Sequence, residues 1–345
     1  MLYGFTFIRN GIKYDYPFVE SLTSLTGLCD NSVVIVGDSE DETCELVKKI
    51  EEAEKLVTSE SVWDPSMMGD GGQILSFQTN IALNKLRELY GEDGNAWAIY
   101  LQGDEVLHED DYKVIKEDII KASKQGCDAI SFRYWHFWLD HNHVAVSERW
   151  YPQEVRAIKL SSSILSYGDA QGFSGVKKAY ESNAFIYHYG HVRDKEKREA
   201  KQKLLMEMIR PADKLSKYLK REKVSFSQTK TLPWFGPHPK VMSERIQRMG
   251  DHLSLPEKES VTLVDQGEFF SDSFLKRINA KVVCRVSSKD QDKYSLSIEK
   301  KLLEKMGLSK NPIRKMESKK ARQWDKETQM SLELYKKNIS LSSLS

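Results

Sequence analysis

Residues 32–53 read SVVIVGDSEDETCELVKKIEEA. The run from Ser32 to Val36 is almost wholly apolar, which is typical of a strand that is buried on both faces. Gly37-Asp38-Ser39 closes the strand, and apolar residues then recur at helical spacing at Leu46, Val47 and Ile50. The segment therefore predicts a strand, an acidic turn and a helix, which together are the repeating element of a parallel sheet.

The same alternation extends in both directions along the chain. Before this segment, Gly4 to Ile8 predicts a strand and Pro17 to Leu28 predicts a helix. After it, strands are predicted at residues 55–58, 97–101 and 128–132, and helices up to residue 90 and over residues 110–124. Elements in this order predict an α/β fold in which helices flank a mostly parallel central sheet.

Polar residues directly follow three of these strands. They are Arg9 and Asn10 after the first strand, Asp38 after the second and Asp104 after the strand at 97–101. Because such sheets bind ligands at the carboxyl ends of their strands, we expect these side chains to converge on one crevice. Asp104, with Glu105 beside it, offers the oxygen ligands that Mg²⁺ and Mn²⁺ prefer. A carboxylate that only caps its strand is the alternative.

Composition narrows the class of protein. The chain of 345 residues is 40% hydrophobic and 30% charged, which is ordinary for a globular protein, and its net charge of +1 suggests no nucleic-acid partner. The four cysteines lack Cys-x-x-Cys spacing, which argues against a zinc site and a disulfide framework. The apolar N-terminal run is too short for a signal sequence, and no stretch is long enough for a membrane helix. We therefore expect a cytoplasmic protein.

Four segments, taken in order, resemble the family 2 glycosyltransferases, which have the GT-A fold. Tyr100 to Glu105 is similar to the Asp-x-Asp segment of that family, with Gln102 in the first acidic place. Phe7 to Asn10 is similar to its first strand end, and Val33 to Thr43 to its second strand and the Asp-x-Ser-x-Asp-x-Thr turn that follows. Gln78-Thr79-Asn80 stands where the family often has Arg-Asn facing the donor. The resemblance covers roughly the first 250 residues.

The resemblance implies an enzyme that moves a sugar, with inversion, from a nucleotide-diphosphate donor such as a UDP-sugar to a saccharide or lipid-linked acceptor hydroxyl. Surface polysaccharide or lipopolysaccharide synthesis is the implied context. The donor-binding residues implied are Arg9, Asn10, Asp38, Gln78, Asn80, Gln102 and Glu105. Asp104 is the implied ligand of a divalent cation, Mn²⁺ or Mg²⁺.

A histidine further along the chain is often the family's third metal contact. The segment Ala184 to His191 ends a predicted strand with two histidines, and we prefer His188 to His191 as the ligand because it lies nearer the strand. A packed or hydrogen-bonded histidine is the alternative.

An inverting transfer needs a base near the acceptor hydroxyl. Asp169 precedes His188 at the distance where the resembled family carries its catalytic acid residue, which makes it the first candidate. Glu148 and Asp140 are the other candidates. Since Gly168-Asp169 is also a common turn pair, a purely conformational role is the alternative.

Two features between residues 130 and 230 have open interpretations. Trp150-Tyr151-Pro152 with Arg156 resembles the Tyr-Pro-x-x-x-Arg stretch of lipopolysaccharide-type members. Arg156 could therefore pair with a phosphate or a sugar carboxylate, or it could lock a loop. The aromatic residues nearby form either a core or a sugar-stacking wall; they are Trp135, Trp138, Trp150 and Tyr151. The charged segment from Arg193 onward predicts a solvated helix.

The resemblance divides the chain into residues 1–252, with a nucleotide-binding half of about 1–108 and an acceptor half of about 109–252, and a C-terminal extension at 253–345. From residue 300 onward, 12 Lys and Arg stand against 5 Asp and Glu. Short strands are predicted within this extension at residues 260–264 and 280–286. Its basic end is expected to be helical, and it could contact a membrane peripherally.

Two other functions remain open. A non-catalytic protein that binds nucleotide sugars could have the same fold. This alternative stays open because Gln102 cannot supply the charge of the carboxylate that the family has at that place. A sugar nucleotidyltransferase would carry a glycine-rich loop with an arginine directly after its first strand, where Arg9-Asn10-Gly11 stands instead.

Overall fold

The computed structural model describes residues 1–53, 55–145, 149–227, 229, 231–234 and 237–250, together with the backbone of three later strands. The chain divides into two compact units. The first comprises Met1–Tyr134, Gln153–Ser227 and Pro239–Arg248, and the second comprises Trp135–Pro152, Gln228–His238 and the segments from Met249 onward. The predicted boundary between residues 252 and 253 lies outside the described residues.

The first unit begins with the predicted alternation of strands and helices. Its elements up to residue 124 are β1 (Leu2–Ile8), α1 (Phe18–Leu28), β2 (Asn31–Gly37), α2 (Thr43–Ala53), β3 (Leu56–Ser61), α3 (Gln73–Tyr90), β4 (Trp97–Tyr100), β5 (Glu105–Leu107) and α4 (Tyr112–Lys124). The next elements in the chain are β6 (Ala129–Trp138), β7 (His143–Ala145), β8 (Gln153–Lys159), β9 (Leu165–Tyr167), β10 (Gly172–Ser174), β11 (Ala179–His191), α5 (Lys195–Ile209), α6 (Leu215–Ser227), β12 (Thr231–Pro233) and α7 (Ser243–Gly250).

The central sheet of the first unit runs in the order β6-β8-β4-β1-β2-β3. Strand β1 lies parallel to β2 and β4, and β2 lies parallel to β3. The order β3-β2-β1-β4 is that of doubly wound nucleotide-binding sheets. Strands β8 and β6 continue the sheet with antiparallel pairing, and β11 pairs with β5 and β6. The predicted α/β fold, with a parallel sheet flanked by helices, is confirmed.

Strand alternation divides the apolar side chains between two cores. Val33 and Ile35 of β2 pack in one cluster with Leu83 and Leu86 of α3. Their neighbours Val34 and Val36 lie in another cluster with residues of α1 and α2, namely Phe18, Leu22, Val47 and Ile50. Strand β2 is therefore buried on both faces, as its apolar sequence predicts.

The charged segment after residue 193 differs from the single long helix that its composition suggests. Helix α5 ends at Ile209 and α6 begins at Leu215, with Pro211 between them. Proline lacks the N–H that a helix interior requires and disfavours helical backbone in the residue before it, so the helix breaks there.

Three strands described beyond residue 280 form an antiparallel sheet in the order β13-β14-β15. They are β13 (Lys281–Val286), β14 (Asp292–Ser297) and β15 (Arg314–Glu317). The first corresponds to the strand that the sequence predicts at residues 280–286. The predicted strand at 260–264 and the basic helical end lie outside the described residues.

Aromatic residues form a core in the part of the second unit that the structure describes before residue 239. The Trp135 and Trp234 rings lie 5.0 Å apart between centroids, and the Trp138 and Trp150 rings lie 5.3 Å apart. Trp135, Trp138 and Trp150 are at most 7% exposed, so these three belong to a core rather than to an open sugar-stacking wall. Tyr151 is half-buried and packs edge-on against His136.

Candidate functional site

Asp104 lies in the turn that joins β4 to β5. The antiparallel register of β5 and β11 pairs Glu105 with His188, and the Tyr189 N–H donates a 2.8 Å hydrogen bond to the Asp104 carbonyl. This ladder brings the side chains of Asp104 and His188 together, with 3.8 Å between Oδ1 and Nε2. Both residues are buried.

Gly190 makes this close approach possible. A Cβ atom at position 190 would collide with the His188 imidazole and would lie 2.9 Å from Oδ2 of Asp104. Any larger residue would therefore displace the imidazole or the carboxylate. Glycine is the residue that allows both side chains to occupy this corner.

Two basic residues complete what we term the Asp104 cluster, which consists of Tyr16, Asp104, His188, Arg193 and Lys201. The Lys201 ammonium lies 2.5 Å from Oδ2 of Asp104 and donates a second hydrogen bond of 3.0 Å to the Gly190 carbonyl. Nη2 of Arg193 lies 3.9 Å from the same carboxylate oxygen. The carboxylate is therefore held by side chains that follow it by roughly ninety residues or more in the chain.

Neither basic residue is among the site residues predicted from the sequence, because the charged segment from residue 193 onward predicts a solvated helix. Arg193 is wholly buried, which corrects that expectation for this residue. Lys201 lies on α5 in phase with Leu204 and Met208, and these two pack in or beside an apolar cluster with Trp63 and Ile74. A lysine on the apolar stripe of a charged helix was the available signal.

Tyr16 connects the cluster to the first strand. The guanidinium of Arg193 and the ammonium of Lys201 each lie 4.8 Å from the centre of the Tyr16 ring, within cation–π range. Nη1 of Arg193 also donates to the Tyr14 carbonyl, and the Tyr16 N–H bonds the Gly11 carbonyl. The loop after β1 and the turn after β4 thus share the same basic side chains.

The balance of charge in the cluster favours an anionic ligand. Burial would raise the pKa of the Asp104 carboxyl, but Lys201, His188 and Arg193 outweigh that effect and hold the pKa below its usual range. Burial lowers the pKa of Lys201 to about 8 and lowers the pKa of His188, which is therefore neutral at pH 7. At that pH, two cations face one carboxylate.

Arg193 retains unused hydrogen-bonding capacity. Its side chain is fully buried, yet Nε and Nη2 have no hydrogen-bond partner among the described residues. Buried guanidinium N–H groups normally find acceptors, because leaving them unpaired is costly. A ligand with several acceptor oxygens beside Asp104 would satisfy them.

The turn after β2 clamps the loop after β1 through alternate side chains. Thr43 Oγ1 accepts a 2.8 Å hydrogen bond from the Gly11 N–H, Asp41 accepts one from the Lys13 N–H, and Ser39 Oγ accepts one from the Asn10 N–H. Asn10 returns a bond, since its Oδ1 accepts from the Glu40 N–H. The residues of the predicted Asp-x-Ser-x-Asp-x-Thr turn thus hold the first loop in place.

Arg9 and Asp38 form the outer part of this junction. Nε of Arg9 lies 2.9 Å from Oδ1 of Asp38, and its guanidinium lies 5.2 Å from the Trp63 ring centre. The Asp38 side chain is 45% exposed and can contact a ligand. Asn10 is buried, with a positive φ of 51°, and its side chain is used within the junction.

Gln102 links the Asp104 turn to Asp169. Its Nε2 donates a 3.3 Å hydrogen bond to the carbonyl of Ala170, the residue after Asp169. The turn that carries Asp169 is tightly built, because Gly168 and Ala170 both have positive φ values, of 57° and 60°. Gly72 packs against the Asp169 backbone so closely that a Cβ there would lie 2.7 Å from the Asp169 Cα. The structure therefore brings Asp169 beside the turn that follows β4.

Gln78 and Asn80, which are predicted to contact the sugar donor, both make hydrogen bonds within the protein. Gln78 is completely buried and bonds the Ser61 hydroxyl and the Val62 carbonyl. Asn80 makes two backbone hydrogen bonds to Ser166 of β9, each 2.9 Å long. Both amides therefore have protein partners in this structure.

Glu105 and Arg156 also face inward rather than toward the crevice. Nε and Nη2 of Arg156 bond the two Glu105 oxygens at 2.9 and 2.8 Å, and neither side chain is exposed. The Tyr134 hydroxyl and the Gln102 N–H also donate to these oxygens. This differs from the expectation that Glu105 and Arg156 contact the donor; of the two open readings for Arg156, the structural one matches this arrangement.

The alternative bases have other positions. Asp140 is buried in the second unit, where its two oxygens each lie 2.9 Å from Nδ1 of His143. Glu148 lies outside the described residues. Asp169 remains the predicted base that adjoins the Asp104 turn.

The donor set around Asp104 does not fit a divalent cation well. Such ions take several oxygen ligands, usually with more than one carboxylate. Here Glu105 is saturated by Arg156, Gln102 carries no charge, and the Asp104 carboxylate is already paired with Lys201. A group of three donors able to hold a metal occurs among the described residues at His108, Glu109 and Asp110, and it does not include the Asp104 cluster. The divalent ion stays a prediction of the sequence.

Comparisons with solved structures give matches at low identity. TarS of S. aureus in complex with UDP matches with a TM-score of 0.35 and 15% identity, covering 65% of this chain and 70% of that chain. TarS in complex with UDP-GlcNAc matches with a TM-score of 0.35 and 13% identity, covering 80% and 79%. A putative glucose-1-phosphate thymidylyltransferase from Bacillus anthracis in complex with sucrose matches with a TM-score of 0.27 and 10% identity, covering 74% and 98%. No family model and no curated protein matches the chain.

TM-scores this low establish nothing about the activity of this chain. Among the described residues, no helix has the length and apolar character needed to cross a membrane.

Proposed function

We propose that the protein transfers a sugar from a nucleoside-diphosphate donor to an acceptor hydroxyl. The observation that carries this proposal is a chain of contacts that joins three strand ends. Arg9, after β1, pairs with Asp38, after β2. Tyr16, in the same loop after β1, contacts Arg193 and Lys201, the basic groups around Asp104 after β4. Carboxyl ends of adjacent parallel strands are where such sheets bind nucleotides. The resemblance to family 2 glycosyltransferases supports the same assignment.

Each part of the donor has a matching group in this arrangement. The half-exposed Asp38 and the clamped loop after β1 receive the nucleoside, and the excess positive charge around Asp104 receives the diphosphate. A UDP-sugar is the proposed donor, and a saccharide or lipid-linked hydroxyl is the proposed acceptor. The buried Glu105–Arg156 pair supports the turn that carries Asp104.

The proposed reaction is a single displacement. The acceptor oxygen attacks the anomeric carbon as Asp169 removes the hydroxyl proton, and the bond from that carbon to the diphosphate oxygen breaks with its electron pair leaving on the diphosphate. Attack from the face opposite the leaving group inverts the configuration. Electrostatic stabilisation of the leaving diphosphate by pre-positioned cations lowers the barrier.

Release of nucleoside diphosphate from a panel of nucleotide sugars, assayed with and without candidate saccharide acceptors, tests this proposal. Turnover that depends on Asp169 is the expected result. Nucleotide-sugar binding without any turnover across the panel would instead favour a non-catalytic binding protein.

A further inference from the structure

The Lys201 ammonium lies beside the Asp104 carboxylate, where a metal ion bound to Oδ2 would otherwise lie. Its Nζ lies 2.5 Å from Oδ2 of Asp104. Lys201 belongs to α5, which follows the Asp104 turn by 97 residues and comes close to it in the folded chain. Its contacts with the Gly190 carbonyl and the Tyr16 ring fix the ammonium in position. The Lys201 side chain is only 14% exposed, so its charge is screened little by water.

We propose that Lys201, together with Arg193, takes the place of a divalent metal at this site, so that a nucleoside diphosphate binds without any metal ion. This inference rests on the proposed function, because it concerns the diphosphate of the same donor. The Lys201 ammonium carries three N–H donors, and at most two are used by Asp104 and Gly190. The third is available to a phosphate oxygen.

Arg193 provides the second part of the arrangement. Its Nε and Nη2 lack hydrogen-bond partners among the described residues, and Nη2 lies beside the Asp104 carboxylate. A guanidinium can bind two phosphate oxygens at once, whereas Lys201 acts as a point charge. Together, the two side chains offer a diphosphate positive charge and directional hydrogen bonds.

A metal would have to compete with charges that are already built into the fold. An ion bound to Oδ2 of Asp104 would have to displace the Lys201 ammonium. An ion bound to Oδ1, on the side of His188, would share the carboxylate with Lys201 and Arg193 and would lie near both. Repulsion between these cations opposes binding of the metal. Asp104 instead holds Lys201 in place and offsets one of the two positive charges while the site is empty.

Calorimetric titration of nucleoside diphosphates into the full chain provides the test, first in excess EDTA and then in excess Mn²⁺. UDP, GDP, ADP, CDP and TDP are titrated in turn. We expect at least one of them to bind in EDTA, with an affinity that Mn²⁺ raises by less than about threefold, less than the roughly fivefold that a coupling of 1 kcal/mol would give.

Variants assign that binding to Lys201. Lys201→Met is expected to weaken metal-free binding by about tenfold to a hundredfold, the loss typical of one charge-assisted hydrogen bond. Lys203→Met, two residues away on the same helix and 64% exposed, should bind like the unaltered protein. If Lys201→Met alone is unstable, the double variant with Asp104→Asn removes both charges and should show the same loss.

The outcomes separate this inference from the proposed function. Binding that appears only with Mn²⁺, or metal-free binding that survives Lys201→Met, would overturn the role of Lys201 and leave the transferase proposal standing. If no nucleoside diphosphate binds under either condition, both proposals fail together.

Discussion

Arg156 and Glu105 form a fully buried, bidentate ion pair, with hydrogen bonds of 2.9 and 2.8 Å between the guanidinium and the two carboxylate oxygens. This pair lies under the turn that presents Asp104, because Glu105 is the next residue in the chain. The Tyr134 hydroxyl and the Gln102 N–H complete the shell of Glu105. The position of the Asp104 carboxylate therefore depends on an interaction that is itself shielded from ligand.

Removing one member of this pair should be severely destabilising. We expect Arg156→Met to lower the free energy of unfolding by about 3 to 5 kcal/mol, because the Glu105 charge is left buried with weaker partners. Urea denaturation followed by circular dichroism measures the change. The exposed Lys85–Glu88 pair is the comparison, and Lys85→Met should change the stability by at most about 1 kcal/mol. Equal effects of the two changes would mean that the buried pair is not a support of the turn.

Gly190 should tolerate no side chain. In Gly190→Ala the new methyl group would overlap His188 and crowd Asp104, so we expect a loss of about 1 to 3 kcal/mol in stability and weaker nucleotide binding. Thermal melting and UDP titration report the two effects. Gly94 has open space around the position of a Cβ, so Gly94→Ala should melt and bind normally. A Gly190→Ala protein with unchanged UDP affinity would contradict the described geometry.

Thr43 should be required to hold the loop after β1. Its fully buried hydroxyl accepts from the N–H groups of Gly11 and Ile12, so Thr43→Val leaves both without that acceptor. We expect a cost of about 1 to 3 kcal/mol in stability and reduced nucleotide affinity. Thr26→Val is the matched control, because the Thr26 hydroxyl donates to the Thr23 carbonyl within its own helix. If the two variants bind UDP alike, the clamp does not shape the nucleoside site.

Asp169 is expected to act in the chemical step. Asp169→Asn should lower kcat by about 10² to 10⁴-fold, the usual contribution of a general base, while the donor still binds. Steady-state assays of diphosphate release, together with donor titration, separate the two quantities. The exposed Asp213 serves as a control, and Asp213→Asn should be fully active. Normal turnover by Asp169→Asn would assign the proton transfer to another group.

Metal-free nucleotide affinity should weaken as the pH rises through about 8. Burial lowers the pKa of Lys201 to about 8, and a diphosphate binds the protonated form, so binding is strongest below that pH and is lost above it as the ammonium deprotonates. The terminal phosphate ionises near pH 6 and does not contribute in this range. The groups that face Lys201 or act on its charge are Tyr16, Asp104, Glu105, His188 and Arg193.

UDP titrations between pH 6.5 and pH 9.5, an interval of about 1.5 units on either side of that pKa, check this expectation. Lys201→Arg should bind with little dependence on pH across the interval, because a guanidinium stays charged. A pH profile that is the same in both proteins would mean that Lys201 does not provide the titrating charge.

The order of the elements in the first half of the chain, and the residues at the strand ends, can be predicted from the amino-acid sequence alone. Buried strands such as Ser32 to Val36 are recognisable because their side chains are apolar on both faces, and the helices because apolar residues recur every three or four positions. Parallel pairing of β1 with β2 and β4 then follows from the alternation of strands and helices. The positions of Arg9, Asp38 and Asp104 at one edge of the sheet were predictable on this basis.

The contacts that those residues make depend on how distant elements pack in the fold. Successive side chains of an extended segment point in opposite directions, and no local pattern states that Asp104 meets Lys201 while Glu105 meets Arg156. Lys201 reaches Asp104 across 97 residues of sequence, and its position on the apolar stripe of α5 does not say which carboxylate it meets. The partner of a charged residue depends on which distant elements pack against it, and that information is spread over the whole chain.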